Sequence, residues 1–596
     1  MNDFGQKISR DVLIDTYARL GEATVDDVRK RIAVALARAE EPSQQVERES
    51  MFLQVQRAGF ITAGRIAAHA GSGLKGTMIN CFVQPVGDSI SQSCEGWPSI
   101  YTALGETAET IRLGGGVGID FSPIRPAGAL VQGTSSLSAG PVAFMRLFDL
   151  SCVVLGTMAV RRGAHMGVLR CDHPDVESFA SAKPAMGLTT FNLSVAVTDA
   201  FMQAVDADQE IDLVHAAQPS EAQQRGGARR RADGVWVYRR ASARALWQHL
   251  VKRAHEHGEP GVLFIDRINA DNNLAYCERI AATNPCAEQP LPPYGGCCLG
   301  SIDLTRLVKA PFEPTAGFDF EQLQAMVPTA VRMLDNVLDL TLWPLPQQRA
   351  EALSKRRIGL GFTGLGDALV MLGLHYDSAQ ARAFASRIAC TLRDAAYAAS
   401  VALAQERGSF PRFDAEGLLR AGSFASRLPA TLREDIRRCG LRNSHLLSIA
   451  PAGSVSLAFA DNVSSGIEPP FAWHYLRHRR NRREPGVTCY DVEDHAWRLY
   501  QRVRKGTSAT LPTAFVTASQ LSTQAHLEMV SAVAPYVDGA ISKTVNAPEG
   551  CLYGDFEALY RQAWKAGLKG VTAFRPNRVL GAVLHVPIAA PDRPHG

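Results

Sequence analysis

Thr283-Asn284-Pro285-Cys286-Ala287-Glu288-Gln289 sets one thiol between an amide two positions before it and a carboxylate two positions after it. These five central residues hold a carrier for a hydrogen atom or an electron, a hydrogen-bonding group and a candidate base. Pro285 has no amide hydrogen and keeps Asn284 extended, so the run reads as a rigid loop and not as a helix interior. A thiol in such a loop is presented to something. Eleven positions further on stands Cys297-Cys298, and far upstream Cys81 sits in Ile79-Asn80-Cys81-Phe82-Val83, so several thiols have the means to meet in one site. By spacing alone, the run fits equally well a buried cysteine in a turn beside an exposed glutamate.

Around this loop the chain runs to 596 residues, enough for one large domain with additions or for several smaller ones. Hydrophobic residues make up 46% and charged residues 20%, which excludes a disordered or fibrous chain. A net charge of +4 is small for this length and gives no case for nucleic-acid binding, while phosphorylated small molecules stay compatible. The N-terminal stretch has no apolar core flanked by a cleavage site, and no apolar stretch is long enough to span a bilayer. The expectation is a cytoplasmic chain with no membrane association. In that compartment 12 cysteines point to reduced, catalytic or metal-binding thiols more than to a disulfide framework. The absence of any CxxC pair counts against structural zinc, and no metal ligands are assigned. Cys152, Cys277, Cys390 and Cys439 read as packing residues.

Residues 1–75 show helical periodicity with charged faces, as in Val25 to Ala39. From about residue 76, short apolar runs such as Leu193 to Val197 and Val262 to Ile265 alternate with longer helical stretches, an α/β pattern. Helices are expected at Phe320 to Leu340, Ser378 to Glu406 and Asp555 to Gly567. Gln218 to Gly234 and Arg477 to Gly486, arginine-rich and punctuated by Gly or Pro, read as solvated surface loops.

Two further motifs bear on chemistry. Gly114-Gly115-Gly116-Val117-Gly118-Ile119-Asp120 follows a helical stretch and leads into an apparent strand, so it is not the dinucleotide fingerprint. Its glycines serve either a close backbone approach to a ligand or a tight packing turn. Ile449-Ala450-Pro451-Ala452-Gly453-Ser454-Val455-Ser456 offers small residues and hydroxyls at a possible helix start, suited to a phosphate or to ordinary capping.

Taken together and in order, five stretches resemble the motifs of the large catalytic chain of ribonucleotide reductases, most closely the adenosylcobalamin-dependent (class II) members. They are Asn80 to Val83; Gly114 to Asp120 with Arg125-Pro126; Arg161 to Gly167; Asn284 to Gln289 continuing to Cys297; and Ala450 to Ser456 continuing to Pro469. The resemblance covers nearly the whole chain. It implies an α/β fold, a ten-stranded barrel of two five-stranded parallel halves antiparallel to each other, spanning residues 76–580. An N-terminal helical segment (1–75) would precede it and a tail (581–596) without the family's cysteine pair would follow. It implies Cys286 as the thiyl radical that takes the 3′-hydrogen of a ribonucleotide, on a loop threaded through the barrel and kept from water. Glu288 is the implied general base, Asn284 the substrate-holding amide, and Cys81 with Cys297 the pair that ends as a disulfide; Cys298 is a bystander. Substrate contacts are implied for Asn80, Cys81, Gly116, the run Asn284, Pro285, Cys286, Ala287 and Glu288, and the run Pro451, Ala452, Gly453, Ser454 and Val455.

The family's radical source differs between classes. Oxygen-dependent members pass a radical from a second subunit through two adjacent tyrosines, where this chain has Thr572, Ala573 and Phe574. Glycyl-radical members carry a C-terminal motif with Cys and Tyr, which residues 577–596 lack. By elimination the resemblance implies adenosylcobalamin, with no side chain assigned to its cobalt. Substrate would be a ribonucleoside diphosphate, reduced for DNA synthesis, with deoxynucleotide effectors compatible and little room for an ATP-binding activity domain. A thioredoxin-like reductant or a separate cysteine-bearing chain would restore the thiols, and a homodimer is compatible. The alternatives are an oxygen-dependent catalytic chain and an inactive nucleotide-binding regulatory paralogue. Two positions depart from the family: Ala287 stands where Gly is usual and Ala452 where Thr is usual.

Overall fold

A computed structural model describes residues 5–134, 136–158, 163–480, 486–504, 511–575 and the strand residues 584–585. Arg161 and Arg162 of the third motif, and nearly all of the tail, lie outside the described residues.

The main sheet grows from short runs rich in branched and aromatic residues, most of them buried on both faces as parallel strands require. Its strands are β1 (Phe60–Thr62), β2 (Cys81–Gln84), β3 (Gly116–Asp120), β4 (His165–Arg170), β5 (Phe191–Val197) and β6 (Gly261–Phe264). A small hairpin of β7 (Ala282–Thr283) and β8 (Pro290–Leu291) follows, and then the sheet strands β9 (Gly296–Asp303), β10 (Ile358–Thr363), β11 (Thr544–Asn546) and β12 (Gly570–Phe574). From β2 to β6 each strand lies parallel to the next, giving a run of five. Each end of that run meets an antiparallel neighbour: β9 pairs with β2, and β12 pairs with β6. Beyond those joints the pairing is parallel again, β9 with β10 and β12 with β11. The segment 446–449 lies between the two outer strands, with parallel bridges Leu360–Leu447 and Ile449–Ile541. The observed class is α/β with a large mixed sheet.

Packed around the sheet are α1 (Lys7–Val12), α2 (Val25–Ala37), α3 (Gln45–Ala58), α4 (Gly64–His69), α5 (Phe320–Leu340), α6 (Ala379–Arg407), α7 (Gly453–Phe459) and α8 (Tyr553–Lys565). Helix α5 has the bounds that periodicity predicts, opened by the Asp319 side chain accepting from the Gln322 amide at 2.9 Å. Helix α6 opens the same way on Ser378. Helix α8 lies two residues earlier than expected, because Gly567 adopts a left-handed conformation (φ 73°) that ends it. In the N-terminal segment, β1 breaks the helical series and pairs antiparallel with β9.

Both arginine-rich stretches depart from the loop expectation. Within 218–234, Glu221–Arg225 is a short helix and Arg229–Arg230 a strand of a three-stranded antiparallel sheet. Arg477 to Arg480 belong to the strand His474–Arg480, paired with Val487–Glu493; residues 481–485 are outside the described set. Long arginine stems tolerate a strand's half-exposed face when a carboxylate meets the head group, as Asp212 meets Arg229 at 3.8 Å and Asp15 meets Arg479 at 2.9 Å.

Candidate active site

The hairpin β7–β8 carries Asn284 to Gln289 at its tip, with Ala282 opposite Leu291 and Thr283 opposite Pro290. The tip is closed by its own backbone. The Asn284 amide donates to the Gln289 carbonyl at 3.1 Å and the Ala287 amide to the Asn284 carbonyl at 3.0 Å. The Gln289 amide donates to Asn284 Oδ1 at 3.0 Å. Closing the turn puts Ala287 at φ 63°, a left-handed conformation that glycine adopts without strain. That is the physical reason a glycine suits this position.

Neighbouring strands fix the loop from outside. Asn192 Nδ2 of β5 donates to the Pro285 carbonyl at 2.8 Å, while Ser448 Oγ and the Ala540 amide donate to the Glu288 carbonyl at 3.0 and 2.9 Å. Two glycines of β3 let the hairpin in: a Cβ at Gly118 would overlap the Thr283 carbonyl, and one at Gly116 would stand 3.1 Å from Pro285 Cγ. Of the two uses open to the glycine run, close packing is seen at both positions, against backbone at Gly118 and against the Pro285 ring at Gly116.

Beneath the loop lie the paired thiols. Cys81 on β2 and Cys297 on β9 are direct cross-strand partners, with 2% and 0% of their surface exposed. Directly opposed antiparallel residues have Cα atoms about 4.5–5.5 Å apart, inside the span of a disulfide. None of the 12 cysteines is in a disulfide. Asn284 Nδ2 is 3.1 Å from Cys81 Sγ, and Cys81 Sγ is 3.7 Å from Glu288 Oε1. Cys298 points to the other face of β9, its Sγ 3.3 Å from the Leu334 carbonyl, as a bystander would.

Burial dominates the electrostatics here. It lifts the Glu288 carboxyl above its usual range, against the opposing hydrogen bonds from Asn284 and Cys81. Burial, followed by the Glu288 charge and the other two thiols, raises the Cys81 thiol far above an ordinary cysteine. Cys297 is raised in the same direction by burial and by Cys298. Both thiols of the pair are therefore held protonated at neutral pH. Two buried oxygens of these segments, Glu288 Oε2 and Asn80 Oδ1, have no hydrogen-bond partner among the described residues, so either could accept from a ligand.

Cys286 stands apart. The family resemblance leads one to expect a thiol kept from water, whereas Cys286 is exposed and lines an open cavity of about 750 Å³. The reason is mechanical: Pro285 is pinned to β5 and Glu288 to residues 448 and 540, so the tip residue between them faces out. Asn192, Ser194, Pro451, Ser542, Thr572 and Phe574 share that wall. Of the run Pro451 to Val455, Pro451 reaches the cavity, and the position of a Cβ on Gly453 is open space. The Ala452 amide donates to Ser465 Oγ at 2.8 Å, Ser454 Oγ lies 2.7 Å from the Tyr17 hydroxyl, and Val455 is buried. Helix α7, which begins within this run at Gly453, is only seven residues long, so polar contact there rests on the Ser454 hydroxyl more than on a helix dipole.

Sequence patterns miss Asn192, Ser448 and Tyr17. Asn192 leaves a trace, one amide inside the apolar run Phe191 to Val197; the other two leave none, since their partners are remote in sequence.

Among the described residues no helix is long and apolar enough to cross a membrane. A family model described as ribonucleotide reductase, barrel domain, matches residues 79–574. The chain is 35% identical over 594 residues to a vitamin B12-dependent ribonucleoside-diphosphate reductase of Mycobacterium tuberculosis, covering 96% of this chain and 79% of that one. It is 32% identical over 551 residues to the protein of the same name from Thermoplasma acidophilum, covering 90% and 66%. A vitamin B12-dependent ribonucleotide reductase of Streptomyces coelicolor is 26% identical over 573 residues, covering 85% and 57%.

Proposed function

This chain belongs to the ribonucleotide reductase family, and on that premise we propose that it reduces ribonucleoside diphosphates to 2′-deoxyribonucleoside diphosphates with adenosylcobalamin. It is a class II large chain and an oxidoreductase. The observation that carries the proposal is the convergence of one exposed thiol, a cross-strand thiol pair and a buried carboxyl on a single six-residue loop. An open cavity lies beside it.

Each residue has a task its surroundings support. Cys286, as a thiyl, takes hydrogen from the 3′-carbon and later returns it. Glu288, whose burial raises its proton affinity, accepts the 3′-hydroxyl proton as a base and can give it back. Asn284 and Asn80 hold the sugar, and Gly116 adds a backbone contact to the substrate. The 2′-hydroxyl leaves as water on a proton from the Cys81–Cys297 pair; the two electrons that reduce the carbon come from these thiols, which end joined as a disulfide. Because both thiols are held neutral, the pair delivers hydrogen and electrons together and is idle until a substrate radical forms next to it.

The wall of the 750 Å³ cavity suits the cofactor. It combines small residues, Gly539, Ser542, Thr572 and Ala573 among them, with polar and charged ones such as Arg267 and Lys543, and Cys286 opens onto it. When bound, adenosylcobalamin supplies the initiating radical by homolysis of its cobalt–carbon bond. Thr572, Ala573 and Phe574 lie on this wall, where a tyrosine relay would need a phenol, and that supports the class II assignment over the oxygen-dependent one.

The strand pairing supports a closed barrel. Strands β2 to β6 make one parallel half; β9, β10, segment 446–449, β11 with Ile541, and β12 make the other. Two antiparallel joints link the halves, and two single bridges hold segment 446–449 within the second. We place it in residues 76–580, after the helical segment 1–75 and before the tail 581–596. Cytoplasmic location, deoxynucleotide effectors, a homodimer and reduction by a thioredoxin-like dithiol belong to the same proposal.

Anaerobic assay of the purified chain with adenosylcobalamin, a dithiol and each nucleoside diphosphate should give the deoxy product. Cys286→Ser should abolish it. Cys81→Ser and Cys297→Ser should lose dithiol-driven turnover. Product formed only with an oxygen-activating partner subunit, and not with the cofactor, would overturn the assignment.

A further inference from the structure

Tyr17 lies 437 positions from Ser454 in sequence, yet its hydroxyl is 2.7 Å from Ser454 Oγ. Three features show that this contact is built. Tyr17 closes a π-helical turn, Leu13–Tyr17, in which the Ala18 amide donates to the Leu13 carbonyl five residues back at 2.9 Å. Such turns are rare and gather at functional sites. Tyr17 is 2% exposed, its ring tilted against Phe459 at 5.2 Å, so one side chain touches both ends of α7. At the start of α4 a Cβ on Gly64 would come within 3.0 Å of the same hydroxyl, so a glycine there leaves the phenol its place.

A serine hydroxyl has one proton and two lone pairs and rotates freely when nothing holds it. If the phenol donates to Ser454 Oγ, one lone pair is used and the serine proton is left to point elsewhere. The neighbouring space is open over Gly453, and Pro451 beyond it lies on the cavity wall. We propose that Tyr17 is a positioning residue that orients Ser454 to donate its proton to a substrate phosphate oxygen, which makes the N-terminal segment part of the substrate site. This rests on the assignment of Pro451 to Val455 as the substrate-phosphate run.

The test is a KM-against-kcat comparison of Tyr17→Phe, Ser454→Ala and the double variant with a ribonucleoside diphosphate. Equilibrium binding of the diphosphate and of the corresponding free nucleoside runs in parallel. Tyr17→Phe keeps the ring against Phe459 and removes only the hydroxyl. It should raise KM by about 5- to 10-fold, the cost of one net hydrogen bond, with kcat held and nucleoside binding unmoved. Ser454→Ala should do at least as much, the double variant no more than Ser454→Ala, and Ser454→Thr should restore affinity. If Ser454→Ala raises KM and Tyr17→Phe does not, or if Tyr17→Phe weakens nucleoside and diphosphate alike, the phenol only packs and the inference is wrong. If Ser454→Ala itself leaves KM unchanged, the phosphate run is misassigned and the inference falls with it.

Discussion

On one side of the loop 284–289 lie Cys81, Cys297 and Glu288, all at 2% exposure or less; on the other Cys286 opens onto a cavity of about 750 Å³. The buried side keeps its thiols protonated and its carboxyl hungry for a proton, because burial disfavours the charged forms. The open side leaves its thiol within reach of a large reactant. Six residues therefore separate two thiol environments, one open and one dry, to which the proposed function assigns initiation and storage of reducing power. What divides them is a hairpin tip pinned at Pro285 and Glu288 by Asn192, Ser448 and Ala540.

The contrast predicts a large difference in reactivity. In the native protein at neutral pH an alkylating reagent should modify Cys286 at least about a thousandfold faster than Cys81 or Cys297, since the buried pair needs both opening and ionisation. Peptide mass spectrometry reads the order, with exposed Cys489 as the internal standard. Equal rates would erase the distinction between the two faces.

Gly118→Ala should blur the faces by pushing the hairpin out. The new methyl would meet the Thr283 carbonyl, which as backbone cannot step aside. Turnover should fall by about 100-fold or more, as reacting groups lose alignment, and stability by about 3 kcal/mol. Gly116→Ala, facing only the edge of Pro285, should cost less in both readouts.

Glu288 sharpens the buried side through pH. Its folded-state affinity for a proton is raised above the ordinary value of 4.5. The stability this group contributes is therefore fully present below that unfolded value and is lost as pH rises through the higher folded one. Thermal unfolding of Glu288→Gln should match the parent near pH 4 and exceed it increasingly toward neutrality, while activity is lost. As a base Glu288 must be ionised, so the acid limb of kcat/KM should fall above the usual carboxylate range.

The smallest effect concerns the tip. Ala287→Gly relieves a left-handed alanine and should raise stability by up to about 1 kcal/mol, measured by denaturant unfolding, with the thiol labelling order unchanged.

Legibility in the sequence followed how local the information was. Helix α5 could be read to the residue because a 3.6-residue apolar period and the Asp319 cap are both local. Helix α8 slipped by two residues at Gly567, whose left-handed turn competes with the period. The arginine-rich stretches were misread as loops because the carboxylates that meet Arg479 and Arg229, Asp15 and Asp212, are not local. Gly114 to Gly118 left two uses open, and the choice rests on Thr283 and Pro285, more than 160 residues away.

Residue types in order determined which chemistry the molecule has: the thiol, amide and carboxylate of one loop, the two further cysteines, and the α/β alternation that holds them. Tertiary structure alone decided which thiol meets solvent and which carboxyl is dry, and that Tyr17 reaches Ser454. Burial and cross-strand register are sums over contacts from the whole chain. Proton affinity and access depend on those sums, so no local stretch of sequence contains them.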